Sequence, residues 1–202
     1  MSRIEKARPD AVALSEQEIL RYLGYGQKQA EAEVLHLVHE CRRTMEAGVS
    51  YKACYDVLPV TTQADGRLSF GPITVYSEDL LKNLASCREL IMFTATIGME
   101  SERLLQKYSL LSPTHAVIAQ AVGAGMIEAW CDHLCERFGN MVGEGKCLRP
   151  RFSPGYGDLD LAVQKEIFAF LDCPRQIGVS LTESLLMLPS KSVSALVGIA
   201  AE

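Results

Sequence analysis

The sequence predicts a single α+β domain, built on a mixed or antiparallel sheet with helices packed against it. Three observations lead there. Helical and strand patterns are interspersed along 202 residues, a length suited to one domain. Hairpin signals stand towards both ends of the chain, which favours antiparallel pairing over a doubly wound parallel sheet. No internal repeat, low-complexity tract or long linker divides the chain.

The elements follow in order. Residues 1–50 read as a helical N-terminal part of the same domain. Ser15-Glu16-Gln17-Glu18 reads as a capping box that opens a short helix through "ILRYLGYG", stopped by Gly24 and Gly26. A second helix spans residues 28 to about 47. Ala30, Val34, Val38, Cys41 and Met45 recur there at steps of three or four, and Gly48 closes it. The period then changes. "YDVLPVTTQADGRLSFGPITVYS" is rich in β-branched and aromatic residues, and Asp65-Gly66 predicts a hairpin turn. Ser77 caps a helix in "EDLLKNLAS", "ELIMFTATIG" has the composition of a buried strand, and "ESERLLQKY" is helical. Pro113 or Thr114 opens a long helix to about residue 138, and another lies near residues 160–171. The end, "IGVSLTESLLMLPSKSVSALVGIA", predicts two or three strands around a turn at Pro189, Ser190 and Lys191.

Composition excludes several classes of function. The chain is 48% hydrophobic and 22% charged, the balance of a globular protein with a real core. Its net charge of -5 is dispersed, with no basic block to meet a nucleic acid. No apolar run approaches the ~18–20 residues of a membrane helix. "MSRIEKARPD" lacks the apolar stretch of a secretory signal, and seven cysteines, an odd number, suit reduced thiols. The expectation is a cytoplasmic protein.

Three segments could carry chemistry. "CLRPRFSPGYGDLDL", residues 147–161, sets Arg151 before Pro154-Gly155, with Gly155 and Gly157 flanking Tyr156. A guanidinium fork suits a carboxylate, glycine admits close approach, and a tyrosine at a rim can cover a flat ring. The competing reading is a solvated turn in which Arg151 pairs with Asp158 or Asp160. On the long helix, Ala121, Ala124, Gly125, Glu128, Cys131 and Cys135 share a face of mostly small residues. Gly123 and Gly125 there mark close approach by a neighbour or a ligand, because glycine costs a helix ~1 kcal/mol against alanine. Glu128 either meets a cation or donor in a pocket or is a surface residue. In the third segment, Glu183 and Ser184 interrupt an apolar strand pattern, and can end a strand, bulge it or line a site. Cys131-x-His133-x-Cys135 is better read as core packing than as a metal site, since a helix turns His133 away from the two cysteines. No nucleophile with a partnered base is visible, so no catalytic residue is assigned.

Taken together, "RFSPGYGD" and "GVSLTESLLMLPSKSVSALVG" resemble the activation domain of cobalamin-dependent methionine synthase, a family that binds S-adenosylmethionine. The family pattern Arg-x-x-x-Gly-Tyr is matched by Arg151, Gly155 and Tyr156. The second signature is matched by residues 181–184, Met187, Pro189 and residues 192–194, and "IEAWCDHLCER" resembles the family helix that offers a glutamate, here Glu128. The resemblance implies that Arg151 clamps the ligand carboxylate, Gly155 and the backbone around Ser153 approach the adenosine, and Tyr156 packs beside it. Glu128 would accept from the amino group or the ribose hydroxyls, and Glu183 and Ser184 join the candidate binding residues. It further implies a free-standing subunit that reactivates cobalamin-dependent methionine synthase, a methyltransferase. S-adenosylmethionine would be the cosubstrate, cobalamin would be carried by the partner, and flavodoxin or ferredoxin would supply the electron. Independent turnover is not expected. Two alternatives are a reactivator of another corrinoid methyltransferase and a non-enzymatic S-adenosylmethionine-binding regulatory module. The chain departs from fused family members in three places. No early aspartate is matched, Gly145 stands beside Glu144 where an acid is expected, and a late tyrosine has no counterpart before Glu202. Lower affinity, or completion of the pocket by a partner, is the expected consequence.

Overall fold

The structure, a computed structural model, describes residues 2–201. The strands are β1 (Arg3–Ala7), β2 (Tyr51–Thr62), β3 (Leu68–Phe70), β4 (Ile73–Val75), β5 (Cys87–Thr96), β6 (Lys146–Leu148), β7 (Ser180–Leu181), β8 (Met187–Leu188) and β9 (Ser192–Ala201). The helices are α1 (Glu16–Tyr22), α2 (Ala32–Glu46), α3 (Glu78–Asn83), α4 (Met99–Leu111), α5 (Pro113–Val142), α6 (Val163–Leu171) and α7 (Cys173–Ile177). β4-β3-β2-β5-β9-β6 lie side by side in that order, all antiparallel, and β1 pairs with the first half of β2. β7 and β8 form a separate small hairpin.

Period-two alternation divides the sheet between two cores. Ile91, Phe93, Ala95, Ala195 and Val197 face one core, shared with α2, α4 and α5. Leu90, Met92 and Leu196 face the other, shared with α6 and α7. β5 and β9 are therefore covered on both sides, which is why both read as nearly continuous apolar runs. Towards one end the second face turns polar, where Thr94 and Thr96 of β5 lie opposite Ser194 and Ser192 of β9. That end holds the site described below.

Most expected elements form, and their local chemistry explains them. Ser77 accepts from the Leu80 N–H and caps α3. At the Asp65-Gly66 turn, Gly66 takes φ +84° and the Gln63 N–H donates to the Arg67 carbonyl at 2.8 Å. Gly123 and Gly125 mark close packing within the protein. A Cβ at Gly123 would sit 3.0 Å from Lys191 Cε, and one at Gly125 would sit 3.1 Å from Leu14 Cδ1.

Other expectations are corrected. The first fifty residues are not only helical, because β1 adds an edge strand. Its sequence, RIEKA, alternates charges rather than apolar residues, as an exposed edge does. Ser15 stands at the N-cap of α1 but its side chain makes no cap bond. Glu18, expected to complete the capping box, instead takes the Arg21 guanidinium at 2.7 and 3.0 Å. The second helix starts at Ala32, four residues late. α7 adds a short helix beyond the one expected near residues 160–171, and Pro174 fits its first turn, where a proline loses no helical hydrogen bond.

Candidate functional site

The site grows from the free edge of β9. β6 pairs only with the last rungs of that strand, from Ile199 to Ala201. The chain then continues alongside β9. The Arg149 N–H donates to the Gly198 carbonyl at 2.8 Å, and Phe152 exchanges both main-chain bonds with Leu196 at 2.9 and 2.8 Å. Past Phe152 the segment leaves the edge at Ser153-Pro154, and a hollow of about 430 Å³ opens beside Ser192, Val193 and Ser194. Phe152, Ser153, Pro154 and Tyr156 line it, together with Gln164 of α6 and Met187 of β8. Arg151 and Glu128 supply its charged groups. The volume falls within the ~300–1,000 Å³ of small-molecule sites.

Arg151 Nη2 donates to Glu128 Oε2 at 2.8 Å and to Asp132 Oδ1 at 3.0 Å. The two acids are one turn apart on α5, so a single guanidinium spans both. Burial opposes the charge on Arg151, and the groups around it, Glu128 and Asp132 included, more than restore it, so its pKa lies above the ordinary value. Both contacts use Nη2, so the N–H groups of Nε and Nη1, which point to different sides of the guanidinium, remain as single donors. Arg151 does not pair with Asp158 or Asp160, the turn alternative.

Those aspartates are occupied elsewhere. Asp160 accepts from the Ala162 N–H at 2.8 Å at the approach to α6. Asp158 accepts from the Ser77 hydroxyl, from the Glu78 N–H at 2.7 Å and from the Asp79 N–H at 3.3 Å, so it holds the Pro-Gly-Tyr-Gly bend against the start of α3. These donors, Ser77 foremost, keep the Asp158 carboxyl below its usual pKa. A carboxylate depressed in the fold stabilises it fully above the unfolded value of about 4 and less as pH falls through the folded value. Asp158→Asn should therefore lower the urea midpoint at neutral pH and flatten its decline on the acid side. Parallel pH profiles for the two proteins would contradict this anchoring.

The remaining candidates divide. Ser153 lines the hollow, and Tyr156, 70% exposed, stands at its rim. Gly155 is not part of the lining. It takes φ +88° to turn the chain, and a Cβ there would sit 3.2 Å from Leu161 Cδ1. Glu183 and Ser184 are also outside the hollow. They sit exposed in the β7–β8 turn, where Thr182 Oγ1 accepts from the Leu186 N–H at 3.0 Å and lies 3.0 Å from Ser184 Oγ. Of the three roles open to that pair, ending a strand is the one they fill.

The sequence reading did not single out Asp132 and Gln164, and a signal existed for each. Asp132 is four residues after Glu128. Gln164 occupies the apolar stripe of α6 beside Val163, Ile167, Phe168 and Leu171, and is itself buried. His133 stacks on Trp130, with ring centroids 5.5 Å apart. Among the described residues no group of three His, Cys, Asp or Glu side chains could hold a metal, and all seven cysteines are free thiols. No described helix is long and apolar enough to cross a membrane.

Fold and site together define an antiparallel α+β domain with a hollow at the open edge of a sheet strand, bordered by an arginine and a glutamate. Residues 76–202 match the family model described as vitamin B12 dependent methionine synthase, activation domain, and the chain belongs to that family. Its fold is similar to that in the crystal structure of the MetH reactivation domain bound to AdoHcy, with a TM-score of 0.74 and 15% sequence identity. That similarity covers 98% of this chain and 78% of the other. No curated protein matches the chain.

Proposed function

We propose that this protein binds S-adenosylmethionine in the hollow beside β9 and presents it to a cobalamin-carrying methionine synthase as a free-standing reactivation subunit. The observation that carries this reading is that Arg151, Glu128, Ser153 and Tyr156 all border one hollow, although α5 and the 147–161 segment lie apart in sequence. The residues present suit the ligand. The Arg151 guanidinium donates to the carboxylate, Glu128 takes the ammonium or a ribose hydroxyl, and Phe152, Met187 and Tyr156 offer apolar surface to the flat base. Two carboxylates beside the site also favour a ligand carrying a sulfonium.

S-adenosylmethionine would supply a methyl group to reduced cobalt held by the partner. The chain's own contribution is position. It holds the amino-acid end, fixes the nucleoside against β9 and leaves the reacting group towards the mouth. No general acid or base is needed, because a thioether leaves readily. Tyr156, 70% exposed at the rim, suits a surface that docks against another protein.

Calorimetric titration with S-adenosylmethionine tests the site, and methylcobalamin formation with reductant and a methionine synthase lacking its own activation domain tests the role. Binding followed by methylcobalamin is expected. Binding with persistent absence of methylation would point to a regulatory module, methylation of a different corrinoid protein would change the partner, and absence of binding would overturn the proposal.

A further inference from the structure

Two buried polar atoms in the hollow have no partner within the protein. Gln164 is 4% exposed and its Oε1 accepts no hydrogen bond, and Ser194 is 2% exposed with an unpartnered Oγ. Both residues line the hollow. A buried polar group left unpaired costs ~1–3 kcal/mol, and native proteins carry few of them. Gln164 is the more telling. Its neighbours on the α6 stripe, Val163, Ile167 and Phe168, are apolar, and any of their kind would fill the position at no such cost.

The main chain of β9 points the same way. Gly198 and Leu196 turn their hydrogen-bonding groups to the free edge, where Arg149 and Phe152 meet them. Alternation along an antiparallel strand turns the next such pair, the N–H and C=O of Ser194, to that same edge, just where Ser153 and Pro154 diverge. One rung of donor and acceptor therefore faces the hollow beside the Ser194 hydroxyl and the Gln164 carboxamide.

We infer that Gln164, with Ser194, is the residue that reads the base of the bound nucleoside and selects adenine. An adenine edge carries an amino donor beside a ring-nitrogen acceptor. A glutamine carboxamide carries an acceptor beside a donor, and the two meet in a bidentate pair. Arg151 and Glu128 suit the charged amino-acid part of the ligand, which leaves Gln164 and Ser194 among the lining residues for the base. This rests on the reading of the hollow as an S-adenosylmethionine site and adds the determinant of its specificity.

A two-by-two titration tests it. Wild type and Gln164→Met, a substitution close in volume, are each titrated with S-adenosylhomocysteine and with the analogue in which purine replaces adenine, so that only the amino group is lost. Removing that group should weaken binding to wild type by about tenfold or more, since a site built to hydrogen-bond a group rejects the analogue lacking it. In Gln164→Met the same removal should change affinity less than about twofold. A glutamine that serves packing, or that holds a buried water, would leave the wild-type ratio for the two ligands in the variant, and that result overturns the inference. So does a wild type that binds both ligands equally, a measurement that requires no variant to fold. If wild type binds neither, the ligand-site reading itself falls. If Gln164→Met keeps the wild-type discrimination and Ser194→Ala, titrated with the same two ligands, loses it, that reading survives and the role of Gln164 does not.

Discussion

Arg151→Ala will lower affinity for S-adenosylmethionine by well over tenfold, more than about 1.4 kcal/mol. The guanidinium is about a quarter exposed and is held by two acids of α5, so it reaches the ligand in a fixed orientation. Its loss removes a charge-assisted donor and leaves Glu128 beside the ligand carboxylate with no cation between them, so attraction turns into repulsion. Arg151→Lys will not restore binding, because an ammonium on a flexible stem lacks the planar set of donors that holds Glu128 and Asp132 and still presents an N–H to the carboxylate. Asp132→Asn will cost less than Arg151→Ala, since the Asp132 side chain is 69% exposed and Glu128 still steadies the guanidinium. Calorimetry on the three variants gives the ranking. Unchanged affinity in Arg151→Ala refutes the clamp.

The largest effect on stability belongs to Trp130. It is fully buried, its ring centroid lies 5.4 Å from that of Tyr51, and its Nε1 donates to the Lys52 carbonyl at 3.1 Å. It joins α5 to β2 from a position two residues after Glu128 and two before Asp132. Trp130→Ala removes the largest side chain of that core together with its hydrogen bond to the Lys52 carbonyl, at a cost of about 3–5 kcal/mol. The urea midpoint should fall steeply with little change in slope, and S-adenosylmethionine binding should fall with it as α5 loosens. Trp130→Phe, which keeps most of the packing, should cost less. A loss below about 1 kcal/mol in Trp130→Ala would show that α5 is held by other contacts.

The strands and helices were legible wherever a local rule decides them. The β5 run, the Asp65-Gly66 hairpin, the Ser77 cap and the long helix behind Pro113 each depend on residues within a few positions of one another. What escaped depends on something distant. β1 is a strand because β2 offers it an edge, not because RIEKA favours extension, and β6 is short because Phe152 takes over its edge of β9. The expected capping box at Ser15 lost its glutamate to Arg21, a competition between two nearly equal local bonds.

The site shows the same division. Residue types and spacing singled out the segment with the guanidinium and the bend and the helix with the acid, but left a solvated turn and a surface glutamate open beside them. Only the tertiary structure decided that Asp132 shares Arg151 with Glu128, that Asp158 ties the bend to α3, and that Glu183 and Ser184 close a hairpin outside the hollow. It also decided that Gln164, one polar residue in an apolar stripe, faces an open strand edge. The physical reason is range. Backbone preference and periodicity act over one or two turns of chain, whereas a binding hollow is the space left between elements that meet only when the two cores close on either side of β5 and β9.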